Sequence, residues 1–200
     1  PRMVFVNKMD RSGADYIRVV NQIKNQLPGL HTTWTNGQPI QLPIGAEDRF
    51  IGFVDILMGK AFHFDDTDKL GRNLIEVPIP EDLQEAFAKY NFELTEAIVE
   101  TDDTLMNKYL EEQPITYEEK MAALRKAVCD NKIVPILCGS AFKNKGVQPL
   151  LDMICDLLPS PVDVAAIKGF LPDGTEGLRR CDEDEPFAAL AFKVMNDPFV

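Results

Sequence analysis

Histidine and cysteine are scarce in this 200-residue sequence, and they are widely spaced. The histidines and cysteines are His31, His63, Cys129, Cys138, Cys155 and Cys181. Structural zinc sites place pairs of ligands about two to four residues apart, a spacing that none of these residues shows. The sequence therefore predicts no metal site. It favours unpaired thiols in a reducing compartment, for which we expect the cytoplasm.

Basic residues are also in deficit, since 21 Lys and Arg stand against 32 Asp and Glu and give a net charge of −11. Phosphate contacts need clustered Lys and Arg, so we expect no direct binding of nucleic acid. An acidic surface can still meet a basic protein partner. No apolar run is long enough to span a membrane, and no membrane association is expected.

A start methionine and a signal peptide are missing too, and Pro1-Arg2 leads directly into an apolar segment. We therefore expect the sequence to be a piece of a longer protein. Its composition, 45% hydrophobic and 26% charged, is that of a globular protein of one or two domains.

Two distant segments share one organisation, in which an apolar run is followed by a polar loop and an amphipathic helix. The first predicts a strand at Met3–Val6, a loop at Asn7–Gly13 and a helix at Ala14–Leu27. The second predicts a strand at Ile133–Cys138, a loop at Gly139–Gly146 and a helix at Val147–Leu157. Apolar runs of this kind are typical of parallel sheets, where ligands bind at the carboxyl ends of the strands. We therefore expect the two loops to converge on one site.

The segment between these units is too long for a simple crossover and predicts a small α/β subdomain. Its strand candidates are Gln41–Ile44, Phe50–Leu57, Lys60–Phe64 and Asn73–Val77. Helices are predicted from Pro80 through Ile98, at Thr104–Leu110 and at Thr116–Val128, the last opening with a capping-box spacing.

Leu158-Pro-Ser-Pro161 predicts an extended linker and a domain boundary. Beyond it, strand candidates at Ile167–Phe170 and Phe187–Met195 predict the start of an all-β domain. The predicted fold class is therefore α/β, with the main domain at 1–29 and 132–158 and the inserted subdomain at 30–131. The linker and the incomplete β domain occupy 159–200.

Asn7-Lys-Met-Asp10 follows the first predicted strand and suits recognition of a guanine base. One carboxylate can accept both N1–H and N2–H₂ of guanine, which is the role expected for Asp10. Adenine has no N2 amine, and an unpaired acceptor costs about 1–3 kcal/mol, enough to select the base. Asn7 can bridge the base N7 and the neighbouring loop, and the stem of Lys8 can lie along the ring.

Gly139-Ser140-Ala141 follows the second predicted strand and supplies small residues that let backbone approach a ligand closely. The N–H of Ala141 can donate to guanine O6. Ser140 can hold either the turn or the Asp10 carboxylate.

These two loops resemble the fourth and fifth motifs of translational GTPases. Three further features resemble the bacterial elongation factor G family, so that the resemblance covers essentially the whole chain. They are the long segment between the two loops, the continuation Lys143-Asn-Lys-Gly-Val-Gln148 and the segment Leu158-Pro-Ser-Pro-Val162. The resemblance implies the end of a G domain with its inserted subdomain, followed by the first strands of a β-barrel domain. It implies a ribosomal translocase that binds GTP and GDP. The implied guanine-binding residues are Asn7, Lys8, Met9, Asp10, Ser140, Ala141 and Phe142.

The resemblance also implies two partners, the ribosome and its stalk protein, with the latter contacted by the helices of the inserted subdomain. An acidic stretch suits that contact, although an ordinary solvated helix face explains it equally well. Its residues are Glu93, Glu96, Glu100, Asp102, Asp103, Glu111 and Glu112.

The sequence contains no G-x-x-x-x-G-K-[ST], and neither of its D-x-x-G matches, Asp10–Gly13 and Asp68–Gly71, is preceded by one. It therefore has no phosphate cradle and no segment to hold an attacking water. No catalytic residue is assigned, Mg²⁺ is expected only through parts upstream of Pro1, and the chain alone is expected to be inactive.

Two alternatives remain open. A class-II release-factor GTPase or a ribosomal-protection GTPase carries the same loop motifs. A non-catalytic module that docks on the stalk through its acidic helices is the alternative from another class.

Overall fold

The computed structural model describes residues 1–27, 31–32 and 35–193. The chain forms two compact units, Pro1–Leu158 and Pro159–Val200. The strands and α-helices in chain order are β1 (Val4–Val6), α1 (Tyr16–Gln26), β2 (His31–Thr32), β3 (Thr35–Pro39), β4 (Gln41–Ile44), β5 (Gly52–Asp55), β6 (Lys60–Phe64), β7 (Leu74–Val77), α2 (Glu81–Val99), α3 (Asp103–Leu110), α4 (Tyr117–Cys129), β8 (Ile133–Cys138), α5 (Val147–Leu157), β9 (Ile167–Phe170) and β10 (Glu176–Arg179). Short 3₁₀ helices lie at Glu47–Arg49, Ala141–Lys143 and Pro161–Asp163.

A four-stranded sheet of order β1-β8-β3-β2 forms the base of the first unit. β8 is buried throughout and pairs in parallel with β1, where Val4 is opposite Ile136, and with β3, where Asn36 is opposite Ile133. The continuous apolar sequence of β8 suits a strand enclosed on both faces. The parallel sheet confirms an α/β fold.

β3 was not anticipated from the sequence, because Thr-Asn-Gly-Gln-Pro has the composition of a turn. It lies within the predicted subdomain 30–131, yet it belongs to the sheet of β1 and β8. The first boundary of that subdomain, at 29/30, lies outside the described residues. The division into domains stays a prediction.

The antiparallel sheet β4-β5-β6-β7 is a meander of hairpins that follows the predicted strand candidates closely. Phe50, Phe53 and Phe64 fill one of its faces, with ring centroids 5.3 Å apart for Phe50 and Phe64 and 6.0 Å apart for Phe53 and Phe64. Aromatic contacts of this kind stabilise a sheet through area buried and edge-to-face geometry. Gln41 joins the two sheets, because its Oε1 accepts a hydrogen bond of 3.3 Å from Cys138 N.

Three of the described helices, α1, α3 and α4, begin where a capping side chain accepts from an amide of the first turn. Asp15 Oδ1 accepts from Arg18 N at the start of α1, and Asp102 Oδ1 accepts from Thr104 N at the start of α3. The predicted capping box of α4 is confirmed, with reciprocal bonds between Thr116 and Glu119. None of the helices within the described ranges is both long and apolar enough to cross a bilayer.

The second unit contains the hairpin β9–β10, in which Ile167 is opposite Arg179. The strand predicted at Phe187–Met195 is wrong as far as the structure describes it, since residues 187–193 form no strand. Residues 194 and 195 lie outside the described residues. A strand needs a neighbour for its backbone N–H and C=O groups, and over 187–193 no described strand supplies one.

Candidate functional site

The two motif loops meet at the carboxyl ends of the neighbouring strands β1 and β8. The amide of Gly139 donates to Val6 O at 3.0 Å, which continues the ladder by one residue. The amide of Met9 then donates back to Gly139 O at 3.1 Å. Parallel pairing therefore brings together two loops that are far apart in the sequence, as expected for a site at this sheet edge.

Asn7 joins the loops through its side-chain carbonyl. Its Oδ1 accepts from the backbone amide of Ala141 at 3.0 Å and from that of Lys8 at 2.8 Å. Lys8 is exposed and has a left-handed backbone with φ of 63°, which is uncommon for a residue other than glycine. Ala141 N–H, expected to donate to a ligand, thus donates to Asn7 in the structure.

Asp10 is fixed by side chains of the second loop. Ser140 Oγ donates to Asp10 Oδ1 at 2.6 Å, and Lys143 Nζ lies 3.5 Å from Asp10 Oδ2. The hydrogen bond from Ser140 lowers the pKa of Asp10 most strongly, burial acts in the opposite direction, and Lys143 adds to the lowering. The Asp10 side chain is only 11% exposed, and it stays an ionised acceptor at neutral pH.

The two remaining predicted site residues have opposite environments. Met9 is 2% exposed, and its side chain belongs to the hydrophobic core. Phe142 is 95% exposed. Only the backbone of Met9 takes part in the loop contacts, whereas the Phe142 ring is open to solvent.

The second loop is a tight turn that depends on glycine. The Ser140 amide donates to Lys145 O at 2.8 Å, and the Lys145 amide donates to Ser140 O at 3.0 Å. A Cβ on Gly139 would lie 2.4 Å from Phe5 Cζ and 2.5 Å from Lys145 O. Gly139 is therefore required for close packing rather than for an unusual φ.

Glu47 also takes part in this site, and sequence reasoning missed it. Its carboxylate accepts from Gly13 N at 2.5 Å, and its amide donates to Met9 O at 2.9 Å. Glu47 comes from the 3₁₀ helix between β4 and β5, so no local motif marked it.

The arrangement is suited to recognition of paired donors rather than to bond breaking. An ionised carboxylate is presented at a sheet edge, and its two oxygens are oriented by a hydroxyl and an ammonium group. Within the described ranges, no group of three His, Cys, Asp or Glu side chains could hold a metal ion.

Comparisons with known proteins find a family and a solved structure to which this chain is similar. The sequence profile of the family described as the elongation factor Tu GTP binding domain matches residues 1–160. A crystal structure of a protein from Thermus thermophilus is 31% identical and superposes with a TM-score of 0.69 over 83% of the chain. The match spans 24% of the Thermus protein's length.

Proposed function

The chain belongs to the elongation factor Tu GTP-binding domain family of translational GTPases, and we propose that it recognises the guanine base within a ribosomal translocase of the elongation factor G type. The observation that carries this proposal is the Asp10 carboxylate held by Ser140 beside the first loop. A base-reading acceptor must be ionised and fixed in direction, and Asp10 meets both conditions.

Guanine would be held by the two loops together. Asp10 would accept N1–H and N2–H₂ of the base, and the exposed stem of Lys8 would cover one ring face. The Asn7 amide would donate to N7 while its Oδ1 keeps the second loop in place. Ala141 N–H already donates to Asn7, so its role toward O6 requires a shared hydrogen bond or a change of partner.

Phosphate binding and hydrolysis would belong to residues outside this sequence. The family supports GTP hydrolysis in the parent protein, and the chain carries no phosphate-binding motif. Mg²⁺ would be bound together with those phosphates. The portion described by the structure therefore supplies specificity for the base, and we assign it no catalytic residue.

The long segment between the two loops supports elongation factor G over a release-factor or ribosomal-protection GTPase. It contains the antiparallel sheet β4–β7 and the helices α2, α3 and α4. We propose that the ribosome is the partner of the parent protein, in the cytoplasm. The acidic helices α2 and α3 would contact the stalk protein, where the exposed side chains of Phe92 and Leu110 offer apolar area.

Base selectivity of the chain tests the proposal. Titration of the ¹⁵N-labelled chain with GDP, ADP and XDP, followed by amide chemical shifts, should show weak binding of GDP and weaker binding of ADP. Binding is expected to be weak because phosphate contacts supply much of the affinity for a nucleotide. The largest shifts should fall on the amides of Asp10, Ser140 and Ala141.

Asp10→Asn should reverse the preference from GDP to XDP, because an amide NH₂ can donate to the xanthine O2. We expect the ratio of the two dissociation constants to change by about tenfold or more, which is the effect of one hydrogen bond to a charged group. Asp82→Asn, an exposed substitution in the first turn of α2, is the control and should leave the ratio unchanged. An Asp10→Asn variant that still prefers GDP would refute the role of Asp10.

A further inference from the structure

Glu47 contacts the first motif loop on both sides of Asp10. Its backbone amide donates to Met9 O at 2.9 Å, one residue before Asp10. Its carboxylate accepts from Gly13 N at 2.5 Å, three residues after Asp10. The 3₁₀ helix Glu47–Arg49 thus spans the loop that presents the acceptor.

Uncommon backbone conformations occur on both sides of this contact. Lys8 has φ of 63° and Glu47 has φ of 57°, and neither is glycine. Such residues persist only where the surrounding structure fixes them, and they concentrate at functional sites. Both residues lie at or next to the hydrogen bond from Glu47 N to Met9 O.

The second motif loop is tied to the same sheet through the β6–β7 connection. Asn144 Nδ2 donates to Lys69 O at 2.9 Å, and Gln148 Nε2 donates to Leu70 O at 2.5 Å. Gly71 in this connection has φ of 64°, and a Cβ there would lie 2.0 Å from Asn144 O. Lys145 Nζ adds a bond of 3.1 Å to Phe50 O, just before β5.

We propose that the antiparallel sheet β4–β7 positions both base-reading loops, with Glu47 as the positioning residue for Asp10 and the β6–β7 connection as the support of Ser140 and Ala141. This inference rests on the proposed function, since it assigns to the sheet the geometry of the guanine site. It follows that a partner that displaces the sheet changes the affinity for the base without contacting the base.

The first test compares Glu47→Ala and Glu47→Gln with Glu112→Ala. Glu112 is a matched control, because it is an exposed glutamate with φ of 54° that is remote in sequence from both loops. Glu47→Ala should weaken GDP binding by about tenfold, the equivalent of one charge-assisted hydrogen bond. Glu47→Gln, which keeps an acceptor for Gly13 N, should recover most of the affinity, and Glu112→Ala should match the wild type.

Stability and exchange measurements separate positioning from general destabilisation. Glu47→Ala, which loses the bond to Gly13 N, should have a slightly lower urea midpoint than Glu112→Ala but stay fully folded without urea, while the Gly13 amide should exchange with solvent faster only in Glu47→Ala. Equal GDP affinity in Glu47→Ala and Glu112→Ala would overturn the role of Glu47.

The second test compares Gly71→Ala with Gly174→Ala. Both positions have a left-handed φ, but a Cβ at Gly174 meets nothing within 4 Å. Only Gly71→Ala should shift the amides of Ser140 and Ala141 and lower GDP affinity. If Gly71→Ala fails to fold, Asn144→Gly replaces it in the test. This variant removes the bond to Lys69 O, tolerates φ of 53° and should have the same effect.

The outcomes for the two proposals are distinct. A wild-type chain with no preference for GDP over ADP refutes guanine recognition and, with it, the positioning role. A selective wild-type chain whose Glu47 and Gly71 variants behave like their controls refutes the positioning role alone.

Discussion

Asp55, at the end of β5, is a carboxylate that the fold keeps away from water. It is 7% exposed, and its Oδ1 accepts from Met58 N at 2.8 Å. Burial raises the pKa of Asp55 from 3.8 to about 6, although the amides of Met58 and Leu57 act in the opposite direction. Asp10 shows the contrary case, since the Ser140 hydroxyl lowers its pKa.

The raised pKa of Asp55 predicts a pH dependence of stability. Between pH 3.8 and about 6 the folded chain holds a proton that the unfolded chain has released. The free energy of unfolding therefore falls as pH rises through this window, in total by about 3 kcal/mol. Asp55→Asn should remove this decrease, as measured by urea unfolding at pH 4 and pH 7.

Asp48→Asn is the control for this prediction, because Asp48 is an exposed aspartate in the same antiparallel-sheet region. It should keep the pH dependence of the wild type. An Asp55→Asn variant with an unchanged difference between the two pH values would contradict the raised pKa.

At the scale of elements, the start of α4 offers a direct test of local stabilisation. Glu119 N donates to Thr116 Oγ1 at 3.3 Å, and Thr116 N donates to Glu119 Oε2 at 3.0 Å. Thr116→Ala leaves one amide of the first turn without its acceptor and should lower the free energy of unfolding by about 1 kcal/mol. Chemical denaturation followed by circular dichroism measures the loss.

Thr104→Ala in the first turn of α3 is the comparison, since the cap of that helix is Asp102. It should change stability by less than about 0.5 kcal/mol. Equal losses in the two variants would show that the capping box of α4 contributes nothing of its own.

Elements with a strong local pattern were predictable from the sequence. The apolar run Ile133–Cys138 and the helix Val147–Leu157 have the predicted bounds, because burial on both faces and a 3.6-residue period are encoded locally. β3 was not predictable, since its polar residues become a strand only by pairing with β8. Residues 187–193 show the opposite case, because their apolar side chains predicted a strand but, without a described partner strand, they form no strand.

The candidate site divides in the same way. The convergence of the two loops was predictable, because each follows a buried strand and parallel strands end at the same side of a sheet. Glu47 and the β6–β7 connection were not, because they reach the loops only through tertiary packing. Both have a left-handed backbone, with φ of 57° at Glu47 and 64° at Gly71. At Glu47 no sequence pattern marks this conformation.

For the whole molecule, the net charge of −11 predicts which partners bind directly. Fluorescence anisotropy with labelled duplex and single-stranded RNA should show no binding at about 0.1 M salt, because clustered cations are needed to release counterions from phosphates. Salt-sensitive binding of either RNA would contradict this expectation and point to a local basic surface.

The position of β8 between β1 and β3 affects how the protein folds during its synthesis. Ser140 and Asp10, which meet in the site, are 130 positions apart in the chain. At a synthesis rate of about 5–20 residues per second, roughly ten seconds pass between the synthesis of β1 and that of β8, its only described neighbour in the sheet. Pairings of such long range form slowly, because the chain loses conformational entropy on closing the loop before the stabilising contacts between the strands are made. The edge where Asp10 and Ser140 meet can therefore form only after β8 has been synthesised, and until then β1 lacks its described neighbour.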